Sequence, residues 1–135
     1  MYPDVFGPNP SDLNLASYRV LVVEDEYFLA DDIARVLIQL GAEIIGPVPT
    51  RRAALGHLEN DERIDACVLD INLRGEMAFP VADMLLARGV PFVFATGYDQ
   101  AVVPDAYGHV PRWEKPFHSE HLVQFLYGLM REKQP

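Results

Sequence analysis

The fold is decided by residues 19–25, RVLVVED, in which a short aliphatic run ends in two carboxylates. Other apolar runs end in the same way: residues 67–70 are CVLD, residues 92–96 are FVFAT, and Lys115 comes two residues after Trp113. Such runs are typical of parallel strands buried on both faces, and open α/β folds place their ligand crevice beyond the carboxyl ends of these strands. The pattern predicts that three carboxylates, a hydroxyl and an ammonium share a small volume.

Between these runs, apolar residues recur at helical spacing, which predicts helices alternating with the strands. Gly41 is a plausible C-terminal stop for the first helix, Thr50 an N-cap for the second and Ser119 a cap for the last. Alternation of this kind implies right-handed crossovers and a parallel sheet covered on both faces. The sequence therefore predicts an α/β fold with a doubly wound, five-stranded parallel sheet. The predicted strands are 19–23, 43–46, 65–69, 91–95 and 112–114.

Three segments lack this regularity. Residues 72–76 are predicted to be a polar loop, and residues 97–109 contain Pro104 and Gly108, so any fourth helix there is short or irregular. Residues 1–17 are rich in Pro, Asn, Asp and Ser, which predicts a flexible N-terminal arm, although its apolar residues would also allow a packed cap. A single domain is expected over residues 18–133, with no output domain after it.

Composition excludes several classes of protein. The 135-residue chain has a formal net charge of −9, which disfavours nucleic acid because its binding needs a basic surface. No stretch approaches the roughly 18 apolar residues of a membrane span. We therefore expect neither nucleic-acid binding nor membrane insertion. We expect a cytoplasmic location. Cys67 is the sole cysteine, so disulfide stapling is excluded, and the residue is interpreted as a small buried hydrophobe.

The chemistry of the strand ends follows from charge. Crowded carboxylates repel one another unless some are protonated or a cation lies among them, and hard oxygen ligands favour Mg²⁺. Asp70 would act as a nucleophile that forms an acyl phosphate, while Thr96 and Lys115 would bind phosphoryl oxygens. Taken singly, the acidic residues at 24–26 suit a helix N-terminus and Asp70 suits a turn. Their order on successive strand ends favours the functional interpretation.

From Tyr18 to Arg131 the chain resembles the receiver domain of a bacterial two-component response regulator. The matching residues are the following: Glu24 and Asp25, Asp70 within residues 68–72 (VLDIN), Thr96, and residues 115–117 (KPF). The resemblance implies a flavodoxin-like fold with strand order 2-1-3-4-5.

The same resemblance implies the site. Asp70 would accept a phosphoryl group from a histidine kinase. Asp25, Asp70 and the backbone carbonyl of Asn72 would ligate Mg²⁺, or Mn²⁺ as a substitute, and Glu24 would act through water. A histidine phosphotransferase or another response regulator is a further expected partner. A phosphorelay intermediate, a phosphate sink and an allosteric binder all remain open, with relay or sink favoured.

Two segments indicate a particular subgroup of receiver domains. They are residues 94–98 (FATGY) and residues 72–76 (NLRGE). They resemble the FATGUY subgroup of alphaproteobacterial receivers, often single domains that accompany unorthodox histidine kinases.

Two departures from the family pattern concern the switch. Receivers usually carry a Tyr or Phe three residues before the lysine, and here that position is Arg112. The segment from Thr96 to Lys115 is also shorter and more broken than the usual helix-four region of the family. We therefore expect phosphorylation to order residues 97–109, beginning at Gly97, rather than to rotate an aromatic ring. Tyr98 is a candidate shield of Asp70 against hydrolytic water. Trp113 is a lesser switch candidate, since a packed aromatic is the simpler interpretation.

Two other classes of protein share some of these residues. Haloacid dehalogenase-like phosphatases use similar residues, but there the nucleophile opens the first core strand, whereas here the acidic pair precedes Asp70. A pseudo-receiver that binds partners without phosphorylation is disfavoured by the intact Asp70, Thr96 and Lys115. His118 and His121, three residues apart, would need a third ligand to form a convincing metal site.

Overall fold

The computed structural model describes residues 13–60, 62–97 and 103–133. Its elements, in chain order, are β1 (Arg19–Val23), α1 (Tyr27–Gln39), β2 (Glu43–Val48), α2 (Arg51–Glu59), β3 (Ala66–Asp70), β4 (Asn72–Leu73), β5 (Glu76–Met77), α3 (Phe79–Ala87), β6 (Phe92–Thr96), a 3₁₀ turn (Asp105–Tyr107), β7 (Arg112–Glu114) and α4 (Ser119–Lys133).

The main sheet has five strands in the order β2-β1-β3-β6-β7, and every neighbouring pair is parallel. Counting only the strands of this sheet, the order is 2-1-3-4-5. The predicted doubly wound, flavodoxin-like fold is confirmed. Because all five strands run the same way, their carboxyl ends lie at one edge of the sheet and their amino ends at the other.

Alternate residues of each strand enter cores on opposite faces of the sheet. Val20 and Val22 of β1 pack with α1 and α4, whereas Leu21 and Val23 pack with α2 and α3. Cys67 is fully buried in the second of these cores, as its interpretation as a small hydrophobe predicts. Burial of each Val or Leu side chain stabilises the fold by about 1.5–3 kcal/mol, so this alternation fixes the register of the sheet.

Two of the three predicted helix ends have the expected geometry. The third prediction, Ser119 as the cap of the last helix, is wrong, because Ser119 is the first residue of α4 and its hydroxyl donates a 2.6 Å hydrogen bond to Asp32 of α1. The side-chain oxygen of Thr50 accepts a 3.1 Å hydrogen bond from the amide of Ala53 and thereby caps α2. Gly41 follows α1 with a φ of +101°, and the Cβ of any other residue would lie 3.2 Å from the amide nitrogen of Ala16. The predicted end of the first helix is therefore correct, because only glycine adopts this turn without strain.

The start of the described chain belongs to the packed domain. Leu13 and Leu15 are buried in the core on the α1 and α4 side, and the amide of Leu15 donates a 2.8 Å hydrogen bond to the carbonyl of Leu40. These residues fall within the segment predicted to be a flexible arm. Residues 1–12 lie outside the described residues, and the domain boundary at residue 18 stays a prediction.

Residues 72–77 form a small hairpin where the sequence predicted a polar loop. Strands β4 and β5 pair antiparallel, with Leu73 opposite Glu76. The two residues between them, Arg74 and Gly75, have φ values of +55° and +89°. Two consecutive positive φ angles are what a tight two-residue hairpin loop requires. The strands were missed because each is only two residues long, too short to show an alternating pattern.

The described residues of the connection from β6 to β7, Gly97 and 103–111, are irregular, as predicted, and residues 98–102 lie outside the described residues. Within residues 103–111, the 3₁₀ turn is the only helical element. The ring of Tyr107 is stacked on Phe79, with centroids 5.0 Å apart, and meets Phe94 edge-on at 6.2 Å. Its hydroxyl donates a 2.5 Å hydrogen bond to the carboxylate of Asp83 in α3. This side chain anchors the connection to the core.

Within the described segments, no helix combines the length and the apolar character that crossing a bilayer demands.

Candidate functional site

The carboxyl edge of the main sheet gathers the polar residues that the sequence places after its strands. Glu24 and Asp25 follow β1, Asp70 and Thr96 are the last residues of β3 and β6, and Lys115 follows β7. Carboxylate oxygens of Glu24, Asp25 and Asp70 all lie within 4.8 Å of one another. The three carboxylates are therefore close together, and the ammonium of Lys115 lies 3.1 Å from both Glu24 and Asp70, while Thr96 ends the strand next to β3.

Lys115 is the cation of this cluster. Its ammonium donates hydrogen bonds of 3.1 Å to Glu24 Oε2, 3.1 Å to Asp70 Oδ2 and 2.5 Å to Glu26 Oε2. Burial alone would lower the pKa of Lys115, but the three carboxylates outweigh burial and raise it above its ordinary value. The lysine is thus fully charged at neutral pH and forms hydrogen bonds with all three carboxylates.

Glu24 is the most buried member, with no exposed side-chain surface. One carboxylate oxygen accepts hydrogen bonds from Lys115 and from the amide of Glu26, whereas Oε1 is buried without a hydrogen-bond partner. Burial first, and then the hydrogen bond and charge of Asp70, raise the pKa of Glu24 from 4.5 to about 8. A buried carboxylate with an unpartnered oxygen is costly unless it gains a proton or a cation.

Asp70 and Asp25 are fixed by backbone amides. The amide of Asn72 donates to Asp70 Oδ1 at 3.1 Å, and the amide of Arg74 donates to Asp25 Oδ2 at 3.0 Å. Burial raises the pKa of Asp70 above its ordinary value despite its contacts with Glu24 and Lys115. Burial also acts to raise the pKa of Asp25, but hydrogen bonds with Asp70 and Arg74 outweigh it and the pKa is lowered.

The hairpin turn positions these donors. Asn72 directs its amide to Asp70, and its side-chain oxygen accepts a 2.8 Å hydrogen bond from the amide of Gly75. The same turn presents the amide of Arg74 to Asp25. Residues 72–75 therefore link the β1 and β3 ends of the site.

Thr96 borders the site from β6. Its side chain is nearly buried, and its hydroxyl makes a long 3.3 Å hydrogen bond to the carbonyl of Gly97. The amide of Lys115 donates a 2.8 Å hydrogen bond to the carbonyl of Thr96, so these two residues are joined through the backbone. An open cavity of about 340 Å³ lies over Asp70, bordered by Asn72, Gly97 and Lys115.

The residues predicted to take part in a conformational switch do not share one environment. Arg112 is exposed on β7, opposite Phe94. Trp113 packs against Phe117 and Phe125, at centroid distances of 6.0 and 5.8 Å, in the core beneath α4. Gly97 borders the cavity. Tyr98 lies outside the described residues. No ring at position 112 is available to rotate, and Trp113 has the contacts of a packed aromatic.

His118 and His121 are exposed, with ring centroids 5.2 Å apart. Among the described residues, a group of three or more metal-ligating side chains occurs at Glu24, Asp25 and Asp70 and nowhere else. The histidine pair therefore lacks a third protein ligand within the described part of the chain.

The carboxylate cluster fits a hard divalent cation. Its donors are carboxylate oxygens, it faces an open cavity, and Glu24 Oε1 is a buried oxygen without a partner. A site with few protein oxygens that leaves room for water and phosphate suits Mg²⁺, which keeps several of its waters.

Sequence reasoning missed two contacts. Glu26 binds Lys115 across a separation of 89 residues, and Tyr107 binds Asp83 across 24. Glu26 follows the acidic pair directly, but acidic residues there also suit a helix N-terminus, which hides a role in the site. No local signal identifies Tyr107, since its environment is set by the tertiary fold.

Comparison with known proteins gives one curated relative. Sensory transduction protein LytT of Bacillus subtilis is 34% identical over 115 residues, which cover 80% of this chain. The chain spans 46% of LytT, about half of its length. No family model matches the sequence.

Solved structures give a fuller match. SdrG from Pseudomonas melonis Fr1, in its BeF₃-activated conformation, is 38% identical with a TM-score of 0.68, covering 85% of this chain and 98% of that one. A response regulator receiver protein from Sinorhizobium medicae is 24% identical with a TM-score of 0.75, covering 90% of this chain and all of that one. The second likeness shows the fold, and the first extends to the sequence over nearly the whole of SdrG.

The fold, the acidic edge of the sheet and these relatives define the class of protein. The chain belongs to the response regulator receiver family of two-component signalling.

Proposed function

We propose that this receiver accepts a phosphoryl group on Asp70 from a histidine kinase and acts as a phosphorelay intermediate or phosphate sink in the cytoplasm. The observation that carries the proposal is the position of Asp70, which faces an open cavity with a cation and two further carboxylates beside it. Asp70 is a phosphoacceptor in this scheme, with at most self-catalysed transfer and hydrolysis.

In the transfer step, a carboxylate oxygen of Asp70 attacks phosphorus as the P–N bond of the donor phosphohistidine breaks. The electron pair of that bond leaves with the imidazole, and an acyl phosphate remains on the aspartate. A bound Mg²⁺ would supply charge neutralisation for the phosphoryl oxygens. Asp25, Asp70 and the carbonyl of Asn72 would hold the ion directly, and Glu24 would hold it through water.

Thr96 and Lys115 would bind the transferred group. Lys115 already contacts Asp70 Oδ2, so its ammonium lies next to the position of the new phosphoryl oxygens. The Thr96 hydroxyl makes only a long hydrogen bond to Gly97 and is therefore available to donate elsewhere. Phosphoryl transfer depends mainly on positioning and charge stabilisation, which these two side chains would supply.

The test is intact-mass spectrometry after incubation with acetyl phosphate, with Mg²⁺ or with EDTA. We expect a gain of one phosphoryl group that requires Mg²⁺ and is absent in Asp70→Asn. The matched control is Asp65→Asn, the same change at the amino edge of β3, which should keep the gain. Labelling of Asp70→Asn equal to wild type would contradict the assignment of Asp70.

We propose further that the response passes through the β6–β7 connection and not through residue 112. Arg112 is exposed, whereas Tyr107 rests on Phe79 and Phe94, and Phe94 lies two residues before Thr96. The hydrogen bond to Asp83 raises the pKa of Tyr107 to about 12, so the phenol keeps its donor hydrogen at neutral pH. Movement of Thr96 toward a phosphoryl group would act on this anchored segment.

Hydrogen exchange tests the response. We expect fluoroberyllate with Mg²⁺ to change the protection of amides in residues 103–110, and Tyr107→Phe, which removes only the hydroxyl, to reduce that change. Tyr127→Phe in α4 is the matched control. Unchanged protection of residues 103–110 in wild type would contradict the proposal that phosphorylation orders this connection.

Phosphorylation-gated binding of a partner kinase or regulator is the alternative output, and the same segment would then carry it. Membership of the FATGUY subgroup also stays a proposal, supported by residues 94–98. The phosphoryl lifetime separates a short-lived sink from a longer-lived binding signal.

A further inference from the structure

Lys115 has a third carboxylate partner, Glu26, that the proposed transfer does not use. The Glu26–Lys115 contact, at 2.5 Å, is shorter than the 3.1 Å contacts of the same ammonium with Glu24 and Asp70. Glu26 lies directly before α1, and its side chain is 61% exposed. It nevertheless reaches over the rim of the cavity above Asp70, which both Glu26 and Lys115 line.

The three partners of Lys115 exhaust its donors. An ammonium has three N–H groups, and here each faces a carboxylate. A phosphoryl oxygen can therefore accept a hydrogen bond from Lys115 only if one of the three carboxylates gives up its own. Asp70 is the acceptor itself, and Glu24 is fully buried, so the exposed Glu26 is the partner that can leave.

The negative charge of Glu26 also opposes entry of a phosphoryl group into the cavity. A phosphoryl donor brings negative charge into a cavity whose rim already carries this carboxylate, and like charges a few ångströms apart repel each other. Glu26 also accepts no capping hydrogen bond from an amide of α1, so the helix does not hold its side chain in place.

We propose that Glu26 is a positioning residue that holds Lys115 in a resting position and competes with the phosphoryl group for it. Glu26 thereby slows phosphorylation of Asp70 by donors that do not displace it. This inference rests on the proposed function, since it concerns the rate of that transfer.

The test compares Glu26→Gln, which keeps shape and removes charge, with Glu59→Gln, the same change on an exposed residue at the end of α2 near the opposite edge of the sheet. Initial rates of labelling by acetyl phosphate are measured by intact-mass spectrometry at saturating Mg²⁺. We expect Glu26→Gln to be faster than wild type by roughly two- to fivefold, the range for losing one exposed ion pair. Glu59→Gln should differ from wild type by less than about a factor of 1.5.

A second measurement asks whether Glu26 acts through Lys115. Fluoroberyllate affinity is measured by isothermal titration calorimetry for Glu26→Gln in the wild-type and Lys115→Gln backgrounds. We expect tighter binding in the first background and no gain in the second, since coupled residues give non-additive effects. An equal gain in both backgrounds would overturn the competition for Lys115 and leave only a charge effect at the rim.

The outcomes separate the two proposals. If wild type is labelled and Glu26→Gln is no faster than Glu59→Gln, this inference is wrong and the proposed function stands. If neither wild type nor Glu26→Gln is labelled or binds fluoroberyllate, the proposed function is wrong and this inference fails with it.

Discussion

The two edges of the main sheet both carry charged clusters, but the clusters are built differently. At the amino edge, Arg19 pairs with Glu43 at 3.4 Å and Glu62 at 3.7 Å, and Arg63 pairs with Asp65 at 2.6 Å. These side chains are partly or largely exposed, and each carboxylate faces an arginine. At the carboxyl edge, one lysine serves three carboxylates, a fourth lies beside them, and Glu24 and Asp70 are almost completely buried.

Exposed ion pairs of the first kind contribute about 0–1 kcal/mol each and are screened by salt. Buried carboxylates in excess of nearby cations oppose folding, because burial removes their hydration and their mutual repulsion remains. Neither the number of charges nor the presence of ion pairs therefore distinguishes the candidate functional edge from the other edge. The buried carboxylates in excess of nearby cations distinguish it.

The largest effect should come from Glu24→Gln. In EDTA, we expect this variant to be more stable than wild type by about 1–3 kcal/mol, because it removes a buried carboxylate from a crowded site. Saturating Mg²⁺ should stabilise wild type and reduce or reverse the difference, because bound ligand stabilises the folded state. Urea unfolding with and without Mg²⁺ measures both.

Glu62→Gln is the control at the other edge, where Glu62 accepts from His57 at 2.7 Å. We expect a small destabilisation that Mg²⁺ does not change. A Glu24→Gln variant that is less stable than wild type in EDTA would remove the distinction between the edges.

The second-largest effect should be a difference between wild type and Glu24→Gln in how stability depends on pH. The folded state holds a proton on Glu24 up to a pKa of about 8, whereas the carboxyl of the unfolded chain titrates near 4.5. Between these values the folded state binds more protons, so this contribution is complete below about pH 4.5 and is lost as pH rises to about 8. We expect stability in EDTA to fall over that range in wild type and to fall less in Glu24→Gln, by urea unfolding at each pH. Parallel profiles would contradict the raised pKa.

The smallest effect should come from Glu43→Gln, which removes an ion pair whose carboxylate is 65% exposed. We expect a loss of less than about 1 kcal/mol, which high salt abolishes and Mg²⁺ leaves unchanged. Thermal unfolding at low and high ionic strength measures it. A larger loss that persists in high salt would show that the amino edge is more than a set of exposed pairs.

The sequence predicts the positions of strand ends well, because buried parallel strands leave continuous apolar runs such as residues 20–23 and 92–95. Since the strands are parallel, the residues after each run must converge, which places Asp25, Asp70 and Lys115 together. The partners of these residues are less predictable. Glu26 reaches Lys115 across 89 residues, and Tyr107 reaches Asp83 from an irregular connection. Such contacts depend on the direction in which each side chain leaves the backbone, which no periodic pattern encodes.

The most direct test of the central claim is a crystal structure grown with Mn²⁺ and fluoroberyllate, in which anomalous scattering locates the ion. We predict one ion bound by Asp25, Asp70 and the carbonyl of Asn72, and fluoroberyllate on Asp70 within hydrogen-bond distance of Thr96 and Lys115. Glu26 should then have left Lys115. An ion at His118 and His121 instead, or fluoroberyllate absent from Asp70, would contradict the account.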